Sequence, residues 1–358
     1  MTLQLKVTPR RWLPTSRVAN AQASWPERAS LLIEVSAGPG LLGRGEAAPL
    51  PRYSPDTLAS AAAALSAVSL TDVPEVDELG RFGAWLGGVV PATEPAARFA
   101  LETALLDLAA RREQLPLHVW LRRRLSGPAL APLCELELAA LLDATQGAGL
   151  VGSAGRCLAE GYRTLKFKLG AAGQFAEELS ALSAVRANLG YGFRMRLDAN
   201  QGFPIALAKQ RLVELAPLDI ELIEEPSTAL LSAPALPIAL DESLRQHFPA
   251  LPATLREHGV AVLVLKPTVL GGLVACAELC EQARGAKLST VVSHTFEGPV
   301  AFSAACELAL ALGQSELAHG LAPHAALGES AASCAALQGV VLKPHTRLGL
   351  GLLDAGPT

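Results

Sequence analysis

Most of the chain repeats one pattern, in which a short apolar segment that favours a strand is followed by a helical stretch. The pattern begins at about residue 133 and continues to about residue 292. Strands that alternate with helices form right-handed βαβ units and a parallel sheet. So many consecutive units favour a closed (β/α) barrel over an open sheet. The predicted strands are residues 134–142, 164–169, 194–197, 220–223, 237–240, 261–265 and 288–292.

The first 95 residues differ from the rest. Segments 3–7 and 31–35 read as strands, and the Ala-rich segment 58–70 reads as a helix. Residues 43–51 contain Gly and Pro at the spacing of a turn region. An amphipathic helix is predicted at residues 96–112, where apolar residues recur at helical spacing. The chain is therefore expected to be α/β, with an N-terminal region that does not belong to the repeating pattern.

Five of the predicted barrel strands end on charged residues, although strands covered on both faces normally read as apolar runs. The successive steps from Lys168 to Asp198, Glu224, Asp241 and Lys266 are 30, 26, 17 and 25 positions. Each step is about one βα unit, so the charges are expected at the same height on successive strands. Barrel enzymes build their active sites at this C-terminal rim. Lys166 lies two residues before Lys168 and so faces the same way.

These residue types together favour proton abstraction beside a carboxylate. Three carboxylates on adjacent strands would repel one another unless a cation lies among them, and hard oxygen ligands suit Mg²⁺ or Mn²⁺. The ion would neutralise the charge that develops as a proton leaves the α-carbon. A lysine acts as the base when neighbouring cations lower its pKa. Each residue also has an ordinary structural explanation, such as a helix N-cap at Asp241.

Composition excludes several classes of function. The net charge is −4 with both signs interleaved, which argues against a nucleic-acid surface. Mean hydropathy is +0.31, but the most apolar helical stretch, residues 300–312, is shorter than a membrane span. No signal peptide precedes it, so a cytoplasmic protein with a small-molecule carboxylate substrate is expected. The sequence leaves room for a homo-oligomer.

Several motifs resemble the enolase superfamily, in the branch that resembles muconate lactonizing enzymes and carries a Lys-x-Lys strand. Within it the chain resembles the o-succinylbenzoate synthase family. The resemblance runs from about residue 43 to about residue 300. The matching segments are Gly45-Glu46-Ala47-Ala48-Pro49-Leu50-Pro51, Ser54-Pro55-Asp56-Thr57, Arg196-Leu197-Asp198-Ala199-Asn200, Asp241-Glu242-Ser243-Leu244, Lys266-Pro267-Thr268 and Val291-Val292-Ser293-His294-Thr295-Phe296-Glu297.

The resemblance implies a two-domain fold. It implies a modified (β/α)8 TIM-type barrel at residues 96–321 and an α+β capping domain at residues 1–95. The C-terminal tail, residues 322–358, would complete the cap. The loops at residues 17–26 and 49–57 would close over the site and shape the choice of substrate.

The resemblance also implies a role for each site residue. Lys168 becomes the acid/base lysine, and Lys266 becomes the lysine on the opposite face of the substrate. Asp198, Glu224 and Asp241 become the metal ligands. The implied supporting residues are Lys166, Arg196, Asn200, Glu225, Glu242, Ser293, His294 and Thr295.

Two departures from the family pattern bear on these roles. The step from Glu224 to Asp241 is short, so the helix between them must be brief or absent, and Glu242 is the alternative third ligand. His294 and Thr295 stand where smaller hydroxyl residues are usual. A positioning role is favoured for His294 over that of a base.

The implied activity is Mg-dependent syn-dehydration of 2-succinyl-6-hydroxy-2,4-cyclohexadiene-1-carboxylate to 2-succinylbenzoate in menaquinone biosynthesis, through a metal-stabilised enediolate. Racemisation of N-acylamino acids or epimerisation of dipeptides is the alternative, since both lysines are present. The segment Leu317-Ala318-His319-Gly320-Leu321-Ala322 lacks the Asp-x-Asp that dipeptide epimerases usually carry there. A second alternative is a barrel without catalysis that serves as a binding module, against which the intact lysines and carboxylates argue.

Overall fold

The computed structural model of the chain describes residues 3–14, 18–19, 24–125, 133–147, 149–169, 173–247, 249–313, 316–324 and 327–353. The strands are β1 Gln4–Trp12, β2 Val18–Ala19, β3 Ser24–Trp25, β4 Arg28–Ser36, β5 Leu42–Ala47, β6 Leu136–Glu137, β7 Ala139–Asp143, β8 Thr164–Lys168, β9 Arg194–Asp198, β10 Ile220–Glu224, β11 Ile238–Leu240, β12 Val260–Leu265, β13 Ser289–Val292, β14 Leu337–Gln338 and β15 Val341–Leu342.

The α-helices are α1 Leu58–Ser66, α2 Leu79–Val89, α3 Pro95–Arg112, α4 Leu117–Arg124, α5 Gly149–Glu160, α6 Phe175–Leu189, α7 Ile205–Leu215, α8 Pro267–Leu270, α9 Leu273–Gly285, α10 Pro299–Leu312 and α11 Glu329–Ala332. Short 3₁₀ turns lie at Ala144–Gln146, Ala216–Leu218, Leu244–His247 and Ala253–His258. Within the described residues, no helix is both long and apolar enough to cross a membrane.

A seven-stranded parallel sheet forms the centre of the molecule, with the strands in sequence order from β7 to β13. Its two edges meet at one segment. His319 donates its N–H to the Glu137 carbonyl at 2.8 Å, and Gly320 donates to the Val292 carbonyl at 2.9 Å. This segment therefore occupies the eighth position of a ring. The predicted α/β TIM-type barrel is confirmed.

The barrel is modified between β10 and β11. Residues 225–237, all of which are described, contain no helix, which agrees with the short step between Glu224 and Asp241. Between β11 and β12 two 3₁₀ turns replace the usual helix. Fewer helices therefore cover the outside of the ring next to β10, β11 and β12. These strands still run parallel to their neighbours.

The inside of the ring is lined by a small apolar cluster that is separate from the main core. Its members are Leu222, Ala239, Val262, Val264 and Val291. Alternate residues of a strand point to the same face. Glu224, Asp241 and Lys266 lie two residues beyond Leu222, Ala239 and Val264, so they continue the same inward face at the C-terminal rim.

The N-terminal region is built on a three-stranded antiparallel sheet with the order β1-β4-β5, against which α3 packs. The prediction of a turn region at residues 43–51 was wrong for its first half, because residues 42–47 form β5. Glycine serves a different purpose there. A Cβ on Gly43 would lie 2.0 Å from the Ala104 carbonyl oxygen, and a Cβ on Gly45 would lie 1.8 Å from that of Ala100. The two glycines allow the strand to approach the helix closely.

The C-terminal segment packs against β6 through β15 and against α3. The Asp107 carboxylate on α3 accepts N–H groups from Arg44 of β5 and from Leu350, at 2.9 and 2.8 Å. Because α3 contacts both β5 and α8, the division into residues 1–95 with 322–358 and residues 96–321 stays a prediction. Residues 354–358 lie outside the described part of the chain.

Candidate active site

Three of the predicted site residues stand side by side on neighbouring strands. Lys168 of β8 is the register partner of Asp198 of β9, which is the partner of Glu224 of β10. Asp241 and Lys266 follow β11 and β12, two and four residues beyond the register partners Ala239 and Val262. Strands in a barrel are tilted, so this progressive offset keeps the residues near one rim.

One cavity at this rim brings most of the predicted residues together. The predicted residues that line it are Lys166, Lys168, Arg196, Asp198, Asn200, Glu224, Lys266, Ser293, His294 and Thr295. Asp241, Glu225 and Glu242 do not line it and lie behind this wall. Three strands separate β8 from β12 within the ring. Lys168 and Lys266 therefore enter the cavity from opposite sides.

The two lysines of β8 have opposite electrostatic surroundings. The Lys166 ammonium lies 2.5 Å from Glu224 Oε2 and 2.9 Å from Asp198 Oδ2. Burial disfavours its charged form, but the two carboxylates outweigh burial and raise the pKa of Lys166. Burial lowers the pKa of Lys168, and the charges of Lys166 and Lys266 lower it further against the opposing charge of Asp198. Lys168 is thus the better base of the pair.

On the far side of the cavity, Lys266 is held by two groups. Its Nζ lies 2.5 Å from Asp241 Oδ2 and donates to Tyr53 Oη at 2.6 Å. Burial acts against the charged form of Lys266, but Asp241 and the other nearby carboxylates prevail and raise its pKa. Tyr53 Oη in turn donates to Asp241 Oδ1 at 2.9 Å.

The two carboxylates behind the cavity differ in their partners. Glu225 Oε1 accepts N–H groups from Asp241 and Ser243 at 2.7 and 2.9 Å, and the Ser243 hydroxyl at 2.6 Å. Glu225 therefore shapes the turn that carries Asp241. Glu242 has a buried Oε2 without a hydrogen-bond partner. Burial, and then the charges of Asp241 and Asp198, raise the pKa of Glu242 to about 9.

The donor set suits a hard divalent cation. Burial, and then the charges of Asp198 and Asp241, raise the pKa of Glu224 to about 6. Crowded carboxylates and an unpartnered buried oxygen are the features that a bound cation would relieve. Asp198, Glu224 and Asp241 would hold it, with Glu242 next to them. Mg²⁺ remains the favoured ion because all of these donors are oxygens.

The carboxylates of Asp198, Glu224 and Asp241 do not lie close enough together to form a ready-made metal site. Across the described ranges, the one group of three potential ligand atoms within 4.8 Å of one another is His118, Glu307 and His345, away from this cavity. At the rim, Asp198 and Glu224 instead share the Lys166 ammonium, and Asp241 pairs with Lys266. These lysines balance the carboxylate charge in its present arrangement.

Several of the supporting residues have contacts of their own. Arg196 lies inside the ring, where it pairs with Glu221 at 2.5 Å and donates to the Ala318 carbonyl. The Asn200 N–H donates to Asp198 Oδ1 at 3.2 Å. The Ser293 hydroxyl donates to the Gly320 carbonyl at 3.2 Å. Thr295 donates to Glu297 through its N–H and its hydroxyl, both at 2.7 Å.

His294 is held as a neutral ring. Its Nδ1 accepts the N–H of Phe296 at 3.0 Å, so the proton of the neutral imidazole is on Nε2. Burial and then the charges of His324 and the site lysines lower the pKa of His294 well below its usual range. It can donate a hydrogen bond in the cavity, which fits positioning better than proton abstraction.

Sequence reasoning did not single out five further residues that line the cavity: Trp25, Leu50, Tyr53, Phe296 and His324. The family resemblance pointed to the loops at residues 17–26 and 49–57, which contain Trp25, Leu50 and Tyr53. This resemblance could have identified the three residues from the sequence. Residues 17 and 20–23 of the first loop lie outside the described residues. His324 carried no signal, since it lies beyond the matched motifs.

Comparison with known proteins places this chain in one superfamily. Residues 150–352 match the family described as enolase C-terminal domain-like. The chain belongs to the enolase superfamily, and this membership supports an enzyme. An o-succinylbenzoate synthase of Aliivibrio salmonicida is 29% identical over 298 residues, which cover 79% of each chain.

Solved structures agree with this fold. The L-Ala-D/L-Glu epimerase of Bacillus subtilis has a TM-score of 0.81 at 21% identity, with all of both chains covered. A dipeptide epimerase of Methylococcus capsulatus, complexed with Mg and the dipeptide L-Arg-D-Lys, has a TM-score of 0.79 at 24% identity and covers 99% of this chain and 100% of its own. These structures support the fold of the whole chain, and the second is a protein of this fold that binds Mg.

Proposed function

We propose that the chain is an o-succinylbenzoate synthase, a hydro-lyase of menaquinone biosynthesis that dehydrates 2-succinyl-6-hydroxy-2,4-cyclohexadiene-1-carboxylate to 2-succinylbenzoate. The observation that carries the chemistry is Lys168, a partly buried lysine of lowered pKa that faces Lys266 across one cavity. A lowered pKa makes the neutral amine, which is the form that acts as a base, easier to populate. The relative from Aliivibrio salmonicida supports this particular reaction.

In this proposal Lys168 acts twice on one face of the ring. Its neutral Nζ takes the proton from the carbon beside the carboxylate. The electron pair left behind first resides on the substrate carboxylate as an enediolate, and it forms the new ring double bond as the C–O bond to the hydroxyl breaks. The Lys168 ammonium returns its proton to the departing hydroxyl, which leaves as water. The ring becomes aromatic, and that gain helps to drive the elimination.

The other residues would bind and stabilise. Mg²⁺ held by Asp198, Glu224 and Asp241 would supply positive charge for the substrate carboxylate as the proton leaves. Lys266, from the opposite face, would stabilise the same developing charge, and the neutral His294 would donate a hydrogen bond. Trp25, Leu50 and Phe296 offer an apolar wall for the ring.

The charge of the site favours an anionic substrate. With Lys168 neutral, the ammonium groups of Lys166 and Lys266 leave one charge of the carboxylates Asp198, Glu224 and Asp241 unbalanced. A bound divalent ion would turn this into an excess of positive charge, which a substrate carboxylate would balance. The proposed cyclohexadiene carries two carboxylates.

The wall near the end of the barrel argues against a dipeptide. A dipeptide carries a free ammonium group, which needs a carboxylate partner when it is buried. The segment after α10 presents Gly320, Ala322 and His324 to the cavity. No carboxylate lies among residues 317–324, which the structure describes throughout.

Racemisation of N-acylamino acids is a second candidate, because lysines from both sides of the cavity could serve the two faces of one α-carbon. An acyl group removes the ammonium charge, so the wall does not exclude these substrates. The fold does not decide between the two reactions, since the epimerase from Bacillus subtilis has the same fold.

A substrate panel distinguishes the candidates. We expect loss of the cyclohexadiene chromophore with Mg²⁺ and none after addition of EDTA. N-succinyl amino acids, followed by polarimetry, form the second arm, and dipeptides form the third. Racemisation of N-succinyl amino acids without conversion of the cyclohexadiene would refute the lyase assignment. Binding of these compounds without turnover in any arm would favour a non-catalytic module.

A further inference from the structure

Tyr53 reaches from the N-terminal region into the catalytic rim. It lies in the turn after β5, where its N–H donates to the Leu50 carbonyl at 3.0 Å. Its hydroxyl accepts from Lys266 Nζ at 2.6 Å and donates to Asp241 Oδ1 at 2.9 Å. Lys266 Nζ also lies 4.7 Å from the centre of the tyrosine ring. A single side chain from this loop thus contacts two predicted site residues.

These contacts fix the direction of the Lys266 ammonium. An ammonium group has three N–H donors. One is directed at Asp241 Oδ2 and one at Tyr53 Oη. The third is then left for a ligand in the cavity, which Lys266 lines. A lysine side chain has four rotatable bonds, and two fixed contacts remove most of its freedom.

The turn that carries Tyr53 is itself tied to the barrel by Arg28 of β4, which is 1% exposed. Its guanidinium donates to the carbonyls of Ala48 and Pro49 on one side, at 3.0 and 3.3 Å. On the other side it donates to the carbonyls of Thr295 and Phe296, at 3.3 and 3.0 Å. Arg28 therefore joins the loop before Tyr53 to the loop that carries His294.

We infer that Tyr53 is a positioning residue. From the loop at residues 49–57, here called the cap loop, its hydroxyl holds Lys266 in place and so completes the Lys266 side of the active site. The inference rests on the proposed function in so far as Lys266 acts on the substrate. The hydroxyl is the essential part, because a phenyl ring without it has no oxygen atom to accept the N–H of Lys266. The cap loop would then contribute to rate as well as to binding.

The kinetic test compares Tyr53→Phe with Trp25→Phe on the cyclohexadiene substrate with Mg²⁺. Tyr53→Phe keeps the ring but removes the hydroxyl, and we expect kcat to fall about 10-fold or more while KM changes less than 3-fold. Trp25 lines the same cavity and donates its indole N–H to the Pro51 carbonyl at 2.9 Å, with no side-chain hydrogen bond to Lys266 or Asp241 among the described residues. Trp25→Phe is therefore expected to raise KM with a smaller effect on kcat. A merely structural role for Tyr53 would change KM or the melting temperature instead.

A second readout does not depend on turnover. Acetic anhydride labelling, quantified by peptide mass spectrometry, reports how accessible each site lysine is. We expect the ratio of Lys266 to Lys168 labelling to rise several-fold in Tyr53→Phe and to stay unchanged in Trp25→Phe, because a released Lys266 turns into the cavity.

The outcomes separate the two proposals. A wild-type protein that leaves the cyclohexadiene intact refutes the proposed function, and the labelling ratio then still tests Tyr53. An active wild type, together with a Tyr53→Phe variant of unchanged kcat and unchanged labelling ratio, overturns the role of Tyr53. A parallel loss of kcat and of thermal stability, with an unchanged labelling ratio, also overturns it.

Discussion

Two buried clusters of charged residues in this molecule respond to burial in opposite ways. At the barrel rim, the pKa of Glu224 is raised to about 6 and that of Lys168 is lowered. In the second cluster, formed by His118, Glu307 and His345, the pKa of Glu307 is lowered although burial acts to raise it. The rim therefore disfavours the charged forms of Glu224 and Lys168, although it favours those of Lys166 and Lys266. The second cluster favours the charged form of Glu307 at its centre.

The contacts of Glu307 explain the difference. Its Oε2 accepts from the His118 N–H at 2.7 Å and lies 2.8 Å from His118 Nδ1, and its Oε1 lies 2.6 Å from His345 Nε2. These groups join α4, α10 and the C-terminal segment. A buried carboxylate with both oxygens partnered, like that of Glu307, favours a stabilising role, whereas perturbed pKa values around a cavity are typical of a functional site. On this comparison we propose that the rim carries out catalysis and that the second cluster has a structural role.

Replacement of Lys168 gives the strongest test of the rim. Lys168→Ala removes the proposed base, and we expect turnover to fall by about 10³-fold or more, measured as kcat on the cyclohexadiene substrate. The melting temperature should stay close to that of the wild type, since burial already disfavours the charged form of the lysine that is removed. Lys209→Ala, an exposed lysine on α7, is the control. An active Lys168→Ala enzyme would refute the base assignment.

Metal binding tests the carboxylates of the rim directly. Asp198→Asn removes a proposed ligand charge, and we expect the affinity for Mg²⁺, measured by calorimetry, to fall by at least about 100-fold. Asp143→Asn is a matched control, because Asp143 stands in register with Lys168 on β7 but is exposed and accepts from Thr145. Equal Mg²⁺ affinity in wild type and Asp198→Asn would place the cation elsewhere.

The second cluster should respond in stability and not in catalysis. Glu307→Gln keeps the shape but removes the charge that two histidines share, so we expect a loss of about 2 kcal/mol in the free energy of unfolding, measured with urea. Turnover at 25 °C should be unchanged, since the cluster is away from the cavity. A large fall in kcat at full folding would mean that this cluster belongs to the active site.

The pH dependence of stability gives the smallest effect. Burial lowers the pKa of His345, but the hydrogen bond and charge of Glu307 prevail and raise it above 6.5. Its contribution is therefore complete below pH 6.5 and is lost as the pH rises through the raised value. The lowered pKa of Glu307 gives a contribution that is complete above pH 4.5 and is lost as the pH falls through the lowered value.

We accordingly expect the melting temperature to be highest between pH 4.5 and pH 6.5. It should fall by about 2 °C or more as the pH rises through the raised pKa of His345. Differential scanning calorimetry from pH 5 to pH 8 measures this. Glu307→Gln is the control, because it should flatten the part of the curve that the cluster contributes. An identical pH profile in the variant would contradict the role of Glu307.

The sequence by itself determined the barrel and the set of charges at its rim. The strand periodicity gave β8 to β13 to within about a residue, because local apolar runs reflect burial on both faces. The six rim residues could be read from the sequence, since charged residues at or just beyond the ends of five strands recur at about the length of a βα unit, with two of them on β8. The missing helix after β10 followed from the short step to Asp241.

Only the tertiary structure decided how these residues work. Gly43 and Gly45 look like turn residues, and the reason for them is a helix more than fifty residues away. Nothing local distinguishes Lys166 from Lys168, whose pKa values move in opposite directions because of neighbours on other strands. Tyr53 and His324 reach the cavity through contacts across the fold. Sequence periodicity reports the average environment of a strand, whereas a pKa or a hydrogen bond depends on a few atoms brought together from distant segments.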